Sequence, residues 1–240
     1  PTPLDADAEQ AVLTHVEQAA RNIEPHLREG DTVILTSTSP PGTTENIVGP
    51  ALEMGGLRAG LDFHLAYCPE TILPGAILQE IKHNDRIVGG TDDASTESAA
   101  WLFESVTESQ VHRAPDPTTA EFVKLTQNTF RDTNIALANE LAKVARDYNV
   151  DVRSSFELAN THPRVSLLNP GPGVGGHCLP VDPYYLGQDS DAVNLIECAR
   201  EVNDRMVDYV YEMLTAELGS LDGTNLAIFG LAYKGNVDDA

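Results

Sequence analysis

A glycine-rich loop in the second half of the chain carries a cysteine that could do chemistry. Cys178 closely follows the run Gly171-Pro-Gly-Val-Gly-Gly176, and Asp182 lies four residues beyond it. A thiol in so polar and irregular a segment can be exposed and activated as a nucleophile. The alternative is a buried structural thiol, the commonest state of a cysteine outside disulfides. The context favours the nucleophile, whereas Cys68 at a strand end and Cys198 on an apolar helical stretch are interpreted as structural.

The same loop formally matches the dinucleotide-binding pattern G-x-G-x-x-G. That pattern holds a pyrophosphate only where a helix begins at its third glycine. Two prolines follow within seven residues and the segment has no helical period, so this interpretation is rejected. The glycines instead let the backbone approach a ligand closely. A hydrolase pair of Cys178 and His177 is disfavoured, because adjacent residues of an extended chain point apart.

Lys124 and Asn128 are a second candidate pair. They lie four residues apart on a stretch without proline or glycine, so a helix would place them on one face, one turn apart. A lysine beside an amide could bind an anionic oxygen or transfer a proton. A solvated helix face is the alternative, since most lysines and asparagines lie there. The spacing alone leaves both interpretations open.

Alternating strand and helix patterns predict how the first half of the chain positions its residues. Helices are expected at about 5–26, 43–53 and 96–107, and strands from residue 32 and at 63–68, 86–88 and 110–113. Strands that alternate with helices indicate a layered α/β unit with a largely parallel sheet. Thr38 and Glu70 each follow one of these strands.

The second half of the chain is predicted to be mainly helical. A long helix is expected over Ala120–Tyr148, with Thr118 or Thr119 as its N-cap. A second long helix should run over about 191–217 and end at Gly219. The segment after it begins like a strand and would start another α/β unit.

The composition excludes several classes of function. Fifteen Lys and Arg against 37 Asp and Glu give a net charge of −22. This field repels phosphate backbones and anionic lipids, so neither nucleic acid nor membrane is an expected partner, and so acidic a surface resembles that of halophilic proteins. Three cysteines without a CxxC argue against disulfides and against a metal site, so we predict no metal and a cytoplasmic location.

Five motifs follow one another in an order typical of one enzyme family. They are STSPPGTT at 37–44, YCPETILPG at 67–75, EFVKLTQNTFRDTNIALANELA at 121–142, GPGVGGHCLPVDPYYL at 171–186 and GLAYKGNVDD at 230–239. Together they resemble the UDP-glucose/GDP-mannose dehydrogenase family of nucleotide-sugar 6-dehydrogenases. The histidine of GGHC resembles the N-acetylhexosamine branch, because the UDP-glucose branch typically has serine there. Thr71 departs from that branch, which usually has arginine after PE.

The resemblance implies an NAD-dependent, four-electron oxidation of the C6 hydroxyl of a UDP-N-acetylhexosamine, with UDP-N-acetyl-D-mannosamine as the expected substrate. Cys178 would form a thiohemiacetal and then a thioester on the way to the uronic acid. Lys124 matches the lysine that stabilises the oxyanion, and Asn128 matches its hydrogen-bonding neighbour. Asp182 matches a carboxylate that works with the lysine and a catalytic water, and its alternative is an Asx-type turn before Pro183.

Further residues of the implied site also rest on the resemblance. Thr38 and Glu70 would position or activate water, with Glu70 as the proton acceptor. The alternatives are that Thr38 simply ends a strand and that Glu70 is a solvated loop acid. Arg200 and Asn203 resemble an AREVN motif, with a solvated arginine as the alternative, and Asp238 resembles a position near the substrate. The implied substrate-binding residues are Lys124, Asn128, Gly175, Gly176 and Lys234, and the implied NAD-binding residues are Thr38, Glu70 and Cys178.

The resemblance also implies an α/β fold class in three parts. Residues 1–117 would be the C-terminal part of a Rossmann-like NAD-binding domain. Residues 118–218 would form an all-helical central domain with a long connecting helix, which carries the catalytic lysine and cysteine and pairs two chains as a homodimer. Residues 219–240 would begin a second α/β domain that binds the UDP-sugar. The family's glycine fingerprint has no counterpart here, so we expect a piece of a longer enzyme. The alternative is an inactive remnant that acts as a dimerisation or nucleotide-sugar-binding module.

Overall fold

The structure is a computed structural model that describes residues 2–5, 7–72 and 75–230 of the chain. These residues form two compact units. The first comprises residues up to 127 together with 184–189, and the second comprises residues 128–183 and those from 190 onward. The expected fold class is confirmed, since a Rossmann-like α/β sheet precedes a large helical region that contains a long helix.

The first unit holds the strands of the described chain. They are β1 (Leu4–Asp5), β2 (Gln10–Ala11), β3 (Thr32–Leu35), β4 (His64–Tyr67), β5 (Arg86–Gly90) and β6 (Val111–Arg113). β1 and β2 form a small antiparallel pair, and the other four strands form a sheet in the order β3-β4-β5-β6. β3 is parallel to β4 and β5 is parallel to β6, but β4 and β5 are antiparallel.

The helices of the first unit connect these strands. They are α1 (Thr14–Ile23), a π-helical turn (Thr44–Val48) that continues into α2 (Gly49–Leu52), α3 (Ile77–His83) and α4 (Asp93–Glu104), with 3₁₀ turns at Glu24–His26 and Glu53–Gly55. The expected largely parallel sheet is wrong at its centre. A parallel connection needs a helix that crosses the sheet, and α3, which the sequence did not predict, buries no residue.

Two helix starts differ from the sequence-based expectation. The first helix begins at Thr14 rather than near residue 5, because residues before it form the β1–β2 pair. α4 begins and ends three residues early. Its N-cap is Asp92, whose side chain accepts a hydrogen bond of 2.8 Å from the backbone N–H of Ser95.

Helices cover both faces of the four-stranded sheet. Successive residues of a strand point to opposite faces, so Leu65 packs with α1 and α2 while Ala66 packs with α4. Gly90 allows the close approach of α4, since a Cβ there would lie 2.3 Å from the backbone nitrogen of Thr96. Because both faces of the sheet are buried, the ends of its strands, after which Thr38 and Glu70 follow, are held in place.

The remaining helices begin with one that runs from the first unit into the second. They are α5 (Pro117–Asp147), α6 (Val152–Ala159), α7 (Asp182–Gly187), α8 (Asn194–Asp204) and α9 (Met206–Leu218). Asp116 caps α5 by accepting the N–H of Thr119 at 2.6 Å, so the predicted threonine caps are wrong. The expected single helix over 191–217 is two helices that meet at Arg205, where no glycine or proline marks the break.

The C-terminal segment only partly falls within the described residues. α9 ends at Gly219, whose φ of +78° suits glycine, as predicted. The predicted strand is not formed in the described part of the tail, residues 224–230. Lys234 and Asp238, two residues of the implied substrate site, lie outside the described residues.

Candidate active site

The carboxyl ends of β3 and β4 bring two of the predicted residues to one edge of the sheet. Thr38 stands three residues after β3 and Glu70 three residues after β4. Because these strands are parallel neighbours, both segments leave the sheet on the same side. The backbone N–H of Glu70 donates to the carbonyl of Thr36 at 3.3 Å, which keeps the segments together beyond the strands. Thr38 is half-buried and Glu70 is exposed.

The Glu70 carboxylate is oriented by its own backbone and by an arginine. Its Oε1 accepts the backbone N–H groups of Thr71 and Ile72, each at 2.8 Å. The same oxygen lies 3.4 Å from Nη1 of Arg86, which is 4% exposed and lies over the ring of Phe103. Glu70 is therefore an accessible carboxylate with a set direction, which suits a proton acceptor better than a freely moving loop acid does.

The first turns of α5 are fastened to the loop that follows β3. Glu121, which is fully buried, accepts the backbone N–H of Gly42 at 2.5 Å and that of Thr44 at 2.8 Å. The Thr44 hydroxyl donates to the same carboxyl group at 2.6 Å. Burial raises the pKa of Glu121 to about 7, although these hydrogen bonds oppose the shift. The sequence offered no signal that this glutamate, rather than its many surface counterparts, is buried.

Lys124 follows one turn later and is also buried. Its side chain is 7% exposed, so the solvated-face interpretation is wrong. Among the described residues, no carboxylate lies within ion-pair distance of its ammonium group. A buried cation without an anionic partner is costly to desolvate, and an anionic oxygen of a ligand would offset that cost. Asn128, one further turn along, is equally buried.

The second unit brings three predicted residues together. Nδ2 of Asn128 donates to Oδ2 of Asp182 at 2.5 Å. The backbone N–H groups of Asp182 and Val181 both donate to the carbonyl of Cys178, at 2.9 and 3.0 Å. Asp182 is 2% exposed, and Cys178 is exposed. An accessible thiol thus stands at the start of a turn that is tied to α5 through a buried carboxyl group.

The glycines before Cys178 adopt conformations that other residues avoid. Gly173 has a φ of +141° and Gly176 a φ of +88°, while Gly175 is exposed. No helix begins at these glycines, whereas a dinucleotide-binding pattern needs a helix at its third glycine. The loop therefore presents backbone and a thiol rather than a helix N-terminus.

Beneath the loop lies a buried polar cluster that the sequence identified only in part. Arg200 is 4% exposed and its Nη1 lies 2.6 Å from Oδ1 of Asp132, so a solvated arginine is excluded. Burial raises the pKa of Asp132, and Arg200 opposes that shift. Asn203 belongs to the same cluster, as does Asn139, which was not singled out from the sequence. Buried polar residues on the inner face of a helix carry no distinctive local pattern.

The two other cysteines differ from each other. Cys68 is buried and burial raises the pKa of its thiol to about 12, in agreement with a structural role. Cys198 is exposed, which does not support its interpretation as a structural thiol on an apolar helical stretch. Leu195, which precedes it on α8, is also largely exposed, so this part of the apolar stretch lies on the surface of the helix.

Models of two domains of one family match this chain. Residues 1–107 match the NAD binding domain of the UDP-glucose/GDP-mannose dehydrogenase family, and residues 118–205 match its central domain. The chain belongs to the UDP-glucose/GDP-mannose dehydrogenase family. The resemblance drawn from the five motifs is thereby confirmed, and so is NAD as the cofactor of the family domain to which residues 1–107 correspond.

Relatives within the UDP-glucose/GDP-mannose dehydrogenase family match the chain throughout its length. It is 44% identical to UDP-N-acetyl-D-mannosamine dehydrogenase of Methanocaldococcus jannaschii, over 100% of this chain and 55% of that protein. It is 42% identical to the protein of the same name from Escherichia coli K12, over 100% of this chain and 60% of that protein. The solved UDP-D-ManNAc dehydrogenase of Pyrococcus horikoshii matches with a TM-score of 0.90 and 44% identity, over 99% of this chain and 57% of that one. The chain spans somewhat more than half the length of these relatives.

The described residues contain neither a membrane-spanning helix nor a cluster of metal-binding side chains. No helix within residues 2–5, 7–72 and 75–230 is both long and apolar enough to cross a membrane. In the same part of the chain, no group of three or more His, Cys, Asp or Glu side chains is arranged to hold a metal ion.

Proposed function

We propose that this chain is part of an NAD-dependent dehydrogenase that oxidises the C6 hydroxyl of UDP-N-acetyl-D-mannosamine to the uronic acid. The observation that carries the proposal is the match over the entire chain to relatives named UDP-N-acetyl-D-mannosamine dehydrogenase. The exposed Cys178 and the buried Lys124 support it, because they provide the nucleophile and the cation that this oxidation needs.

The proposed reaction removes four electrons from one carbon. The C6 alcohol first loses a hydride and a proton to become an aldehyde, to which the Cys178 thiol adds, giving a thiohemiacetal. Loss of a second hydride and a proton gives a thioester, and water then cleaves the carbon–sulfur bond, releasing the carboxylate and the thiol. The covalent bond to Cys178 holds the aldehyde in place between the two oxidations.

Lys124 and Asn128 stabilise negative charge in this proposal. The oxygen on C6 becomes anionic when the alcohol loses its proton and again when the thiol or water adds. A buried ammonium without a carboxylate partner among the described residues is suited to that oxygen, because electrostatic attraction is stronger where water is excluded. Asn128 directs an amide N–H at Asp182 and so fixes the carboxylate next to the Cys178 turn.

Glu70, Asp182 and Thr38 handle water and protons. Glu70 accepts a proton from the water that attacks the thioester, since its carboxylate is accessible and oriented by two backbone N–H groups. Asp182 works with the lysine and with that water. Thr38 positions water from its place after β3. Gly175, Gly176 and Lys234 complete the proposed contacts to the sugar nucleotide.

The residues present fit the reacting end of the cofactor. In open α/β sheets, dinucleotides bind at the carboxyl ends of parallel strands. Thr38 and Glu70 lie at that edge after β3 and β4, where Glu70 is exposed and Thr38 is half-buried. NAD, when bound, accepts the hydride in each of the two oxidations. Cys178 is the third proposed contact to it.

The domain roles and the assembly are also proposals. Residues 1–117 would belong to the NAD-binding domain, 118–218 to the central domain and 219–240 to the start of the UDP-sugar-binding domain. We propose a cytoplasmic homodimer paired through α5. Phe122, Phe130, Leu137 and Val144 recur along α5 at intervals of seven or eight residues and are all exposed, as expected of a helix face that meets a partner. Light scattering that gave a monomer at all concentrations would contradict the pairing.

The test is NADH formation with UDP-N-acetylmannosamine, UDP-N-acetylglucosamine and UDP-glucose. It compares the 240-residue chain with a form extended by the sequence that flanks it in its gene. We expect the extended form to turn over UDP-N-acetylmannosamine and a Cys178→Ala variant to lose complete oxidation. Cys198→Ala is the matched control, because that cysteine is also exposed and should not affect turnover. Absence of turnover with all three sugars would refute the proposal and favour a non-catalytic module.

A further inference from the structure

A chain of side-chain hydrogen bonds links the core of the second unit to the start of the Cys178 loop. Nδ2 of Asn203 donates to Oδ1 of Asp132 at 2.9 Å and to its backbone carbonyl at 3.1 Å. Nδ2 of Asn139 donates to Oδ1 of Asn203 at 2.9 Å. Oδ1 of Asn139 accepts the backbone N–H of Gly171 at 2.8 Å. The chain thus ends on the first glycine of the loop.

Each link in this chain fixes the direction of the next. The backbone carbonyl of Asp132 can only accept, and Oδ1 of Asp132 already accepts from Arg200, so Asn203 must turn its amide nitrogen towards Asp132. The side-chain oxygen of Asn203 then faces Asn139, so Asn139 must donate to it with its amide nitrogen. The oxygen of Asn139 is left for Gly171, so the buried core determines that an acceptor meets this N–H.

The network is buried, so its bonds cannot be replaced by water at little cost. Asn139 is 0% and Asn203 1% exposed. A buried amide that loses its partner costs more free energy than a surface hydrogen bond contributes. The loop also touches α8 directly, because the carbonyl of Asn203 lies 3.6 Å from the place a Cβ of Gly173 would occupy.

Both ends of the loop are held by one face of α5. Asn128 binds Asp182 in the turn after Cys178, and Asn139 binds Gly171 before it. The two asparagines are eleven residues apart, which is three helical turns or about 16 Å along the axis. Between these anchors the chain contains glycines at positive φ, which are the positions where the backbone has most freedom to lose.

We infer that Asn139 and Asn203 are positioning residues that hold the Gly171 end of the loop so that the Cys178 thiol stays where its chemistry requires it. This role rests on the proposed function of Cys178. It does not require that either asparagine touch the substrate or cofactor.

Hydrogen exchange tests the inference without turnover. In Asn139→Ala, the backbone amides of Val181 and Asp182, which donate to the carbonyl of Cys178, should exchange roughly fivefold faster or more, the factor that one net hydrogen bond represents, while amides of α1 and β4 stay within about twofold. Asn134→Ala is the matched control, since Asn134 lies on the same helix and its side-chain amide donates to the carbonyl of Phe130, one turn earlier in α5. Faster exchange confined to residue 171, or equal in all segments, would overturn the inference.

A conservative variant separates positioning from general stability. Asn139→Asp keeps an acceptor for Gly171 but loses the donor to Asn203, so loop protection should return to within about twofold of the parent even if the melting temperature stays low. If either variant fails to fold, Gly171→Pro and Gly171→Ala decide, because only the first removes the N–H and neither alters a helix. A Cβ on residue 171 meets nothing closer than 3.9 Å. Equal exchange of the Val181 and Asp182 amides in this pair would overturn the inference.

Turnover gives a second readout in a form of the enzyme that oxidises the sugar nucleotide. Asn139→Ala should lower kcat about tenfold and leave KM for the sugar nucleotide within about twofold, since the loop positions the thiol rather than the substrate. A rise in KM with unchanged kcat would contradict positioning of the thiol. If the parent enzyme shows no turnover at all, the proposed function fails, and the exchange result still decides whether Asn139 holds the loop.

Discussion

The buried carboxyl group of Glu121 should make the stability of this protein depend on pH in a way that one substitution removes. Burial raises its pKa from an ordinary value of 4.5 to about 7. The folded state therefore binds a proton that the unfolded state has lost, and this contribution to stability is fully present below pH 4.5 and is lost as the pH rises through about 7. Between pH 5 and pH 8 the loss amounts to about 2.5 kcal/mol.

Glu121→Gln abolishes this titration, so the comparison of variant and parent isolates it. Urea unfolding followed by circular dichroism at half-unit steps from pH 5 to pH 8 gives the free energy of unfolding of each protein. We expect the variant to gain about 2.5 kcal/mol relative to the parent as the pH rises across this range. Glu140→Gln, at an exposed position of α5, is the matched control and should show a constant difference. A flat difference for Glu121→Gln, within about 0.5 kcal/mol, would refute the reasoning.

Two further predictions concern the buried ion pair and the cysteines. Arg200→Leu leaves the buried Asp132 carboxylate without its cation and should lower the free energy of unfolding by about 3 to 5 kcal/mol. Arg205→Leu removes an exposed ion pair on the helix surface and should lower the free energy of unfolding by less than about 1 kcal/mol. Equal losses for the two variants in chemical unfolding would contradict this prediction. Iodoacetamide at pH 8 should alkylate the exposed Cys178 and Cys198 but not Cys68, because burial raises the pKa of that thiol to about 12, and mass spectrometry showing native-state labelling of Cys68 would disprove it.

Local sequence patterns predicted much of the fold because the dominant signals are periodic. The β-branched run at Thr32–Leu35 and the long stretch without glycine or proline behind α5 needed no tertiary information. The antiparallel placement of β5 beside β4, by contrast, could be predicted only with tertiary information. Whether a connection crosses the sheet depends on whether its helix has an apolar face to bury, and α3 buries none. The break at Arg205 likewise has no glycine or proline to mark it, and Asn203 and Asp204, which have low helix propensity, are common inside helices as well.

Some residues of the candidate site have a local signal in the sequence, and others do not. Cys178 stands out because glycines on an irregular segment are themselves a local signal, and the Lys124–Asn128 spacing is visible as soon as a helix is assumed. Glu121 and Asn139 could not be found this way. A buried glutamate or asparagine is recognised only by what surrounds it in three dimensions, and the same residue types are more often exposed.

In the proposed reaction, Cys178 carries the oxidised carbon between two hydride transfers. The most direct measurement is the number of NADH molecules formed per molecule of UDP-N-acetylmannosamine consumed, in the extended form of the enzyme and in its Cys178→Ala variant. We expect the parent to form two NADH per sugar, with uronic acid as the product, and the variant to form no uronic acid. Uronic acid with two NADH per sugar from the Cys178→Ala variant would contradict it.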